Sequence, residues 1–222
     1  KNYGIKNQGN FITCSSTDMN SLGLTKDGYI IPILRMYSSE KYQFSEMHQG
    51  SFISCATGTY HSLGLTNDGV IIACRLNIII DYGQCDVPIE YQGTFIACDA
   101  EAHYSLGLTK EGYIISWGRT PYSFMNVIND LLDQYQGTFI ACSAGRNHIV
   151  GLTKFGEIIA WGNSISNDLV KFKSKERFIS CSAGYHNDTF GLTEDGFIRC
   201  WKNTEEINLK LDEYQGNFKV NN

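Results

Sequence analysis

The stretch Phe52-Ile53-Ser54-Cys55-Ala56-Thr57-Gly58-Thr59-Tyr60-His61-Ser62-Leu63-Gly64-Leu65-Thr66-Asn67-Asp68-Gly69-Val70-Ile71-Ile72-Ala73-Cys74 decides the fold, because the chain repeats its pattern five times. Phe-Ile-x-Cys recurs at Phe11, Phe52, Phe95, Phe139 and Phe178, and Phe218 opens a further copy that stops. The successive spacings of 41, 43, 44, 39 and 40 residues average about 41, the length of one propeller blade. Gly-Leu-Thr follows at Gly23, Gly64, Gly107, Gly151 and Gly191. Two residues past each Thr comes a residue followed by Gly, in Asp27-Gly28, Asn67-Asp68-Gly69, Glu111-Gly112, Phe155-Gly156 and Asp195-Gly196. An apolar stretch then ends at Ile33, Cys74, Trp117, Trp161 or Trp201.

Each unit therefore reads as three strands. Strand A is Phe-Ile-x-Cys-x-Ala, strand B is His-Ser-Leu-Gly-Leu-Thr or a variant, and strand C is Tyr-Ile-Ile-x-x-Trp. The turn glycine between B and C supplies the positive φ of a tight hairpin. Three antiparallel strands cannot bury both faces alone, so the meanders must stack. The variable segments after strand C, such as those holding Ile78-Ile79-Ile80 and Ile207-Asn208-Leu209, leave room for a short outer strand. The expected fold is an all-β propeller forming one domain over residues 1–222, with repeats about 11–48, 49–91, 92–135, 136–174 and 175–213 and partial repeats 1–10 and 214–222. Gln8-Gly9 copies the Gln-Gly before Phe52, Phe95, Phe139 and Phe218, so flanking sequence and a larger six- or seven-bladed ring are expected.

Composition agrees with this reading. There are 24 Ile, 13 Tyr, 12 Phe and 22 Gly against 9 Ala, which suits pleated surfaces and tight turns rather than helix. Hydrophobic residues make 42% of the 222, enough for a real core, so disorder is excluded as the main state. The longest purely apolar run, Val70 to Cys74, is far short of the roughly 20 residues of a membrane-spanning helix. Net charge is -5 and Lys171, Lys173, Lys175 and Arg177 are scattered, so the chain lacks the positive field that nucleic acid requires.

Gly58-x-x-His61-Ser62-Leu63-Gly64-Leu65-Thr66-x-Asp68-Gly69, with the tails Trp117-Gly118 and Trp161-Gly162, resembles the repeat of the regulator of chromosome condensation family. Tyr82-Gly83-Gln84-Cys85-Asp86-Val87-Pro88 resembles the linker of its short-repeat branch, which includes beta-lactamase inhibitor protein II. The resemblance implies a β-propeller, commonly of seven blades, used as a protein-binding platform: exchange factor for a small GTPase, ligase accessory domain, light sensor or enzyme inhibitor. The chain departs from that pattern at Thr17, Asn20 and Ile33 in the first unit and at Cys74 in the second. In the third, Glu101 replaces the Gly and His103 is displaced by one, leaving Tyr104 at the His position. The fifth carries an extra residue before Gly191.

The recurring cysteines Cys14, Cys55, Cys98, Cys142 and Cys181 lie about 40 residues apart with no C-x-x-C pair, so they read as packing residues rather than metal ligands. Most should be buried and unbridged, which favours an intracellular setting, cytoplasm or nucleus, or the interior of a virus particle. The tryptophans read as core. No G-x-S-x-G, phosphate loop or H-E-x-x-H is present, so neither catalysis nor a cofactor is expected.

The histidines at the A to B hairpins, His61, His103, His148 and His186, admit two readings. Either they join neighbouring aromatic and cationic residues in contacting a partner, or each hydrogen-bonds within its own blade and locks the hairpin. The B to C turns are short and nearly uniform, whereas the A to B loops differ in every blade and carry the residue types enriched at interfaces. The candidate partner-binding face is therefore Tyr60, His61, Glu101, His103, Tyr104, Arg146, Asn147, Tyr185 and His186. The leading expectation is a non-enzymatic scaffold that binds another protein. A structural component of a larger complex or virus particle, and a guanine-nucleotide exchange factor for a small GTPase, are the alternatives.

Overall fold

The computed structural model describes residues 10–35, 44, 46–76, 80–120, 133–162, 170–172, 175–185, 187–202 and 205–207. The turn glycines act first: Gly28, Gly69, Gly112, Gly156 and Gly196 all adopt φ between 78° and 84°, a region closed to most side chains, and each reverses the chain between strands B and C. Five antiparallel sheets result. Blade 1 holds β1 (Phe11–Ser16), β2 (Asn20–Thr25) and β3 (Ile30–Arg35); blade 2 holds β4 (Phe52–Thr57), β5 (His61–Thr66) and β6 (Ile71–Arg75); blade 3 holds β7 (Phe95–Glu101), β8 (Tyr104–Thr109) and β9 (Ile114–Gly118). Blade 4 adds a fourth strand to its meander, in the order β10 (Phe139–Ala144), β11 (Ile149–Thr153), β12 (Ile158–Trp161) and β13 (Val170–Lys171). Blade 5 does the same with β14 (Phe178–Ala183), β15 (Asp188–Thr193), β16 (Ile198–Lys202) and β17 (Glu205–Ile207). The proposed outer strand at Ile207 thus exists but begins earlier, at Glu205; Ile78 and Ile79 lie outside the described residues.

One irregularity recurs in every blade. The first Phe of strand A pairs with the Thr of strand B, and the residue two places on pairs with the preceding Leu, so the intervening Ile is skipped. A bulge of this kind re-aims side chains. It lays the Phe ring against the strand B glycine, where a Cβ on Gly64 or Gly107 would come within 2.5 or 2.3 Å of Phe52 or Phe95 Cε1. The skipped isoleucines Ile12, Ile53, Ile96, Ile140 and Ile179 are left exposed.

Blades stack through apolar interfaces. Blade 2 meets blade 3 through Leu63, Leu65, Ile71, Phe95 and Trp117, blade 3 meets blade 4 through Leu106, Ile114, Phe139 and Trp161, and blade 4 meets blade 5 through Val150, Ile158, Phe178 and Trp201. The tryptophans are core, as expected. Strands A contact one another in the series β1, β4, β7, β10, β14 and form the inner arc. No contact of comparable extent joins β1 to β14 among the described residues, and Phe11 is 37% exposed where Phe52, Phe95, Phe139 and Phe178 are 2–3%. The five blades are part of a propeller, not a sealed disc.

Candidate functional site

The position that opens strand B holds Asn20, His61, Tyr104, His148 and Asp188, and in four blades its side chain reaches across to the next. Asn20 Nδ2 donates to the Gly58 and Thr59 carbonyls at 3.2 and 2.8 Å. His61 Nε2 lies 2.7 Å from Ser105 Oγ, and His148 Nε2 lies 3.2 Å from Thr189 Oγ1. The Tyr104 hydroxyl donates to the Gly145 and His148 carbonyls at 2.5 and 3.1 Å. Ser15, Asp99 and Ser143 on strands A add further cross-blade bonds by accepting from the Thr57, Ala144 and Ala183 amides.

His61 and Ser105 stand at the spacing of a base and a nucleophile, yet both are 0% exposed. The Ser105 hydroxyl spends its proton on the Gln84 carbonyl at 2.8 Å, so it accepts from His61 Nε2–H. That tautomer leaves Nδ1 bare, in keeping with its lack of a partner. Burial, reinforced by the neighbouring His103, pushes His61 down to about 4; burial does the same to His148. These neutral rings are ties between blades, not acids or bases poised for chemistry.

The expected face divides accordingly. His61 and Tyr104 are withdrawn as contact residues, because at 0% and 2% exposure their side chains are enclosed between blades. The hairpin-locking reading of His61 and His148 is itself corrected: the bonds lead to the next blade, not back into their own. His186 lies outside the described residues. Tyr60, Glu101 and His103 are half-buried, and Arg146, Asn147 and Tyr185 are exposed.

Tyr60, Glu101, His103, Arg146 and Tyr185 neighbour one another. Tyr60 of blade 2 stacks on His103 of blade 3, with ring centroids 5.0 Å apart and planes inclined by 15°. Tyr82, from the linker after blade 2, meets His103 edge-on at 4.9 Å, and the Arg119 guanidinium lies over Tyr82 at 5.3 Å. Arg146 of blade 4 lies 4.5 Å over the ring of Tyr185 of blade 5 and donates to its hydroxyl. Burial, with Arg119 and Arg146 adding their charge, holds His103 below the ordinary imidazole value. Burial likewise raises Glu101, whose carboxylate accepts from the Ala102 amide. The A to B side thus presents a stripe of π faces and cations across four blades. Tyr82 and Arg119 are not among the face residues expected from sequence because they lie outside the repeated core; the buried Gln84 places Tyr82, its Oε1 accepting from the Tyr82 amide at 2.6 Å and its own carbonyl accepting from Trp117 Nε1 at 3.0 Å.

The opposite side carries a latch that sequence showed only as a recurrent dipeptide. Gln49, Gln92 and Gln136 each grip the first residue of the preceding blade's strand C, the carboxamide accepting its N–H and donating to its C=O. At the fourth junction Lys175-Glu176 replaces Gln-Gly, and the Ile158 carbonyl accepts instead from the Phe172 amide beside β13. A cleft of about 380 Å³ opens there, lined in part by Phe155, Lys171, Phe172 and Lys175. Its cations are largely engaged, Lys171 with Glu157 and Arg177 with Glu194.

All eight cysteines are free thiols, but the burial expected of the strand A series holds for Cys55 alone. Cys14 is exposed, in the strand that also carries the exposed Phe11, and Cys98, Cys142 and Cys181 are half-buried, packed against the edges of the interblade clusters rather than enclosed within them. Among the described residues no three His, Cys, Asp or Glu side chains converge as a metal site, and no helix is long and apolar enough to cross a membrane.

Comparison with solved structures fixes the fold type. Prp20p of Saccharomyces cerevisiae superposes with a TM-score of 0.60 at 13% identity, covering 86% of this chain and 57% of its own. The fold is an RCC1-like propeller. The ectodomain of the Physcomitrella patens receptor kinase CR4 matches at 0.65 and 16% identity over 91% of this chain and 53% of its own, and YCF48 bound to a D1 peptide at 0.50 and 9% over 86% and 64%. The chain spans little more than half the length of the Prp20p chain or of the CR4 ectodomain. No family model and no curated protein matches it.

Proposed function

We propose that this chain is a non-enzymatic protein-binding propeller of the regulator of chromosome condensation type, allied to its short-repeat branch, and that it receives its partner on the A to B side. The observation that carries this reading is the stripe of Tyr60, His103, Arg146 and Tyr185, extended by Tyr82 and Arg119: solvent-facing aromatic and guanidinium groups held in place by one another. Such groups supply large contact area at low entropic cost and dominate binding hot spots. Support also comes from the buried histidines, which are committed to holding blades together, and from propeller relatives in fold that bind proteins or peptides, Prp20p to Gsp1p and histones and YCF48 to a D1 peptide. Exchange on a small GTPase draws on the family resemblance alone, and none of the described residues favours it.

The test is a pull-down with the intact chain, followed by affinity measurement on the partner recovered. Replacing Tyr60, Arg146 and Tyr185 together by Ala should preserve the circular dichroism spectrum and weaken binding by more than about 2 kcal/mol. Unchanged affinity, or a footprint confined to the B to C turns, would remove the proposal.

A further inference from the structure

The arginines whose side chains the structure describes sort into two groups. Arg75 is ion-paired with Asp81 at 2.7 Å, Arg177 with Glu194 at 3.0 Å, and Arg199 with Glu176. Arg119 and Arg146 have no carboxylate within ion-pair distance among the described residues. Both are exposed, both lie on the A to B side, and both rest on a tyrosine ring. Glu101 feels the charge of Arg146 but stays outside ion-pair distance and directs its carboxylate to the Ala102 amide. A guanidinium lying over a ring is held in place, and the N–H groups that remain after the one Arg146 gives to the Tyr185 hydroxyl suit a fork-like pair with a carboxylate. His103, which feels the charge of both arginines, stacks on Tyr60 and forms with it a half-buried π floor.

We infer that this surface receives an acidic, extended segment of a partner protein, in which carboxylates engage Arg119 and Arg146 and an apolar or aromatic side chain of the same segment rests on Tyr60 and His103. The inference builds on the protein-binding face proposed above and specifies its ligand. The chain's net charge of -5 does not oppose it, since exposed charges beyond about 8–10 Å are screened at ordinary salt.

Fluorescence anisotropy with labelled eight-residue peptides tests it on the intact protein. The probes are alternating Glu-Tyr, alternating Gln-Tyr and alternating Lys-Tyr, with single-stranded oligouridine as a phosphate-bearing competitor class. The Glu-Tyr peptide should bind at least about tenfold more tightly than the Gln-Tyr peptide and weaken between about 50 and 300 mM salt. Arg119→Gln with Arg146→Gln should erase that difference, and Arg75→Gln, whose side chain is already paired, should not. Equal binding of the Glu-Tyr and Gln-Tyr peptides, tighter binding of Lys-Tyr or oligouridine, an unaffected double variant, or no Glu-Tyr binding up to about 1 mM would each overturn the inference. Equal binding of both peptides that Tyr60→Ala and Tyr185→Ala weaken would sink the acidic ligand while keeping the binding face. Binding indifferent to every substitution on this side would sink both.

Discussion

Removing one glutamine should loosen a whole junction. Gln92 bonds Ile71 twice, accepting from its N–H at 2.8 Å and donating to its C=O at 2.8 Å, and Ile71 itself is buried between blades 2 and 3. Gln92→Ala strands both backbone groups. An unpaired buried donor or acceptor costs about 1–3 kcal/mol, and at this half-buried site water recovers part of that, so the expected loss is about 2–4 kcal/mol. For a chain of this size each kcal/mol lowers the midpoint by about 2–4 °C, giving a fall of about 5–15 °C followed through tryptophan fluorescence. Gln92→Glu should behave no better at neutral pH, because an ionised carboxylate still accepts from Ile71 N–H but faces its carbonyl without a proton to donate. Lys175→Ala is the control: it stands at the same place in the repeat yet holds no such pair, and should change stability by less than about 0.5 kcal/mol. A Gln92→Ala midpoint within about 1 °C of the parent, or equal destabilisation by Lys175→Ala, would refute the latch.

His61 and His148, pushed down to about 4, bind no proton in the fold but bind one when unfolded below about pH 6.5. Stability should therefore be full above pH 6.5 and fall as pH drops through about 4, by about 3 kcal/mol per ring at the acid end; a flat melting profile from pH 7.5 to 5 would contradict this, and His61→Asn should make the slope shallower. Gly107→Ala should cost about 1–3 kcal/mol by urea unfolding, since its Cβ would sit 2.3 Å from Phe95 Cε1 against Trp117. Ellman's reagent should modify the exposed Cys14 before the buried Cys55, whose thiol burial pushes up to about 11, and Cys14→Ser should delete the fast phase.

The blades were legible because their evidence is local. Gly-Leu-Thr, the turn glycine and the apolar run each specify structure within a few residues, and β4 to β6 fall where Phe52, His61 and Ile71 placed them. Tyr104 standing in for a histidine was also readable, from register alone, and the pairing of Tyr104 with Gly118 beside that of His61 with Arg75 bears it out. What lay beyond reading was destination. Nothing near His61 indicates that its partner is Ser105, 44 residues on in the next blade. The exposed Ile53 resembles any core isoleucine until the bulge at Phe52 and Ser54 turns it aside. The proposed binding face suffered most, since two of the six residues that define it, Tyr82 and Arg119, belong to segments without a repeating pattern.

The cross-blade ties also amount to a rule of succession. Asn20 and Tyr104 end on backbone carbonyls, which every follower possesses, and the blade behind Tyr104 has Ile149 just after the tie position. His61 and His148 end on hydroxyls, and the blades behind them carry Ser105 and Thr189 at that place. Blades 1 and 3 are thus tolerant of any neighbour downstream, whereas blades 2 and 4 require one that brings a hydroxyl. Cassette exchange between propellers would succeed or fail on that two-letter match, and duplicating blade 4 in tandem would set His148 against an isoleucine and take away the hydroxyl its Nε2 meets.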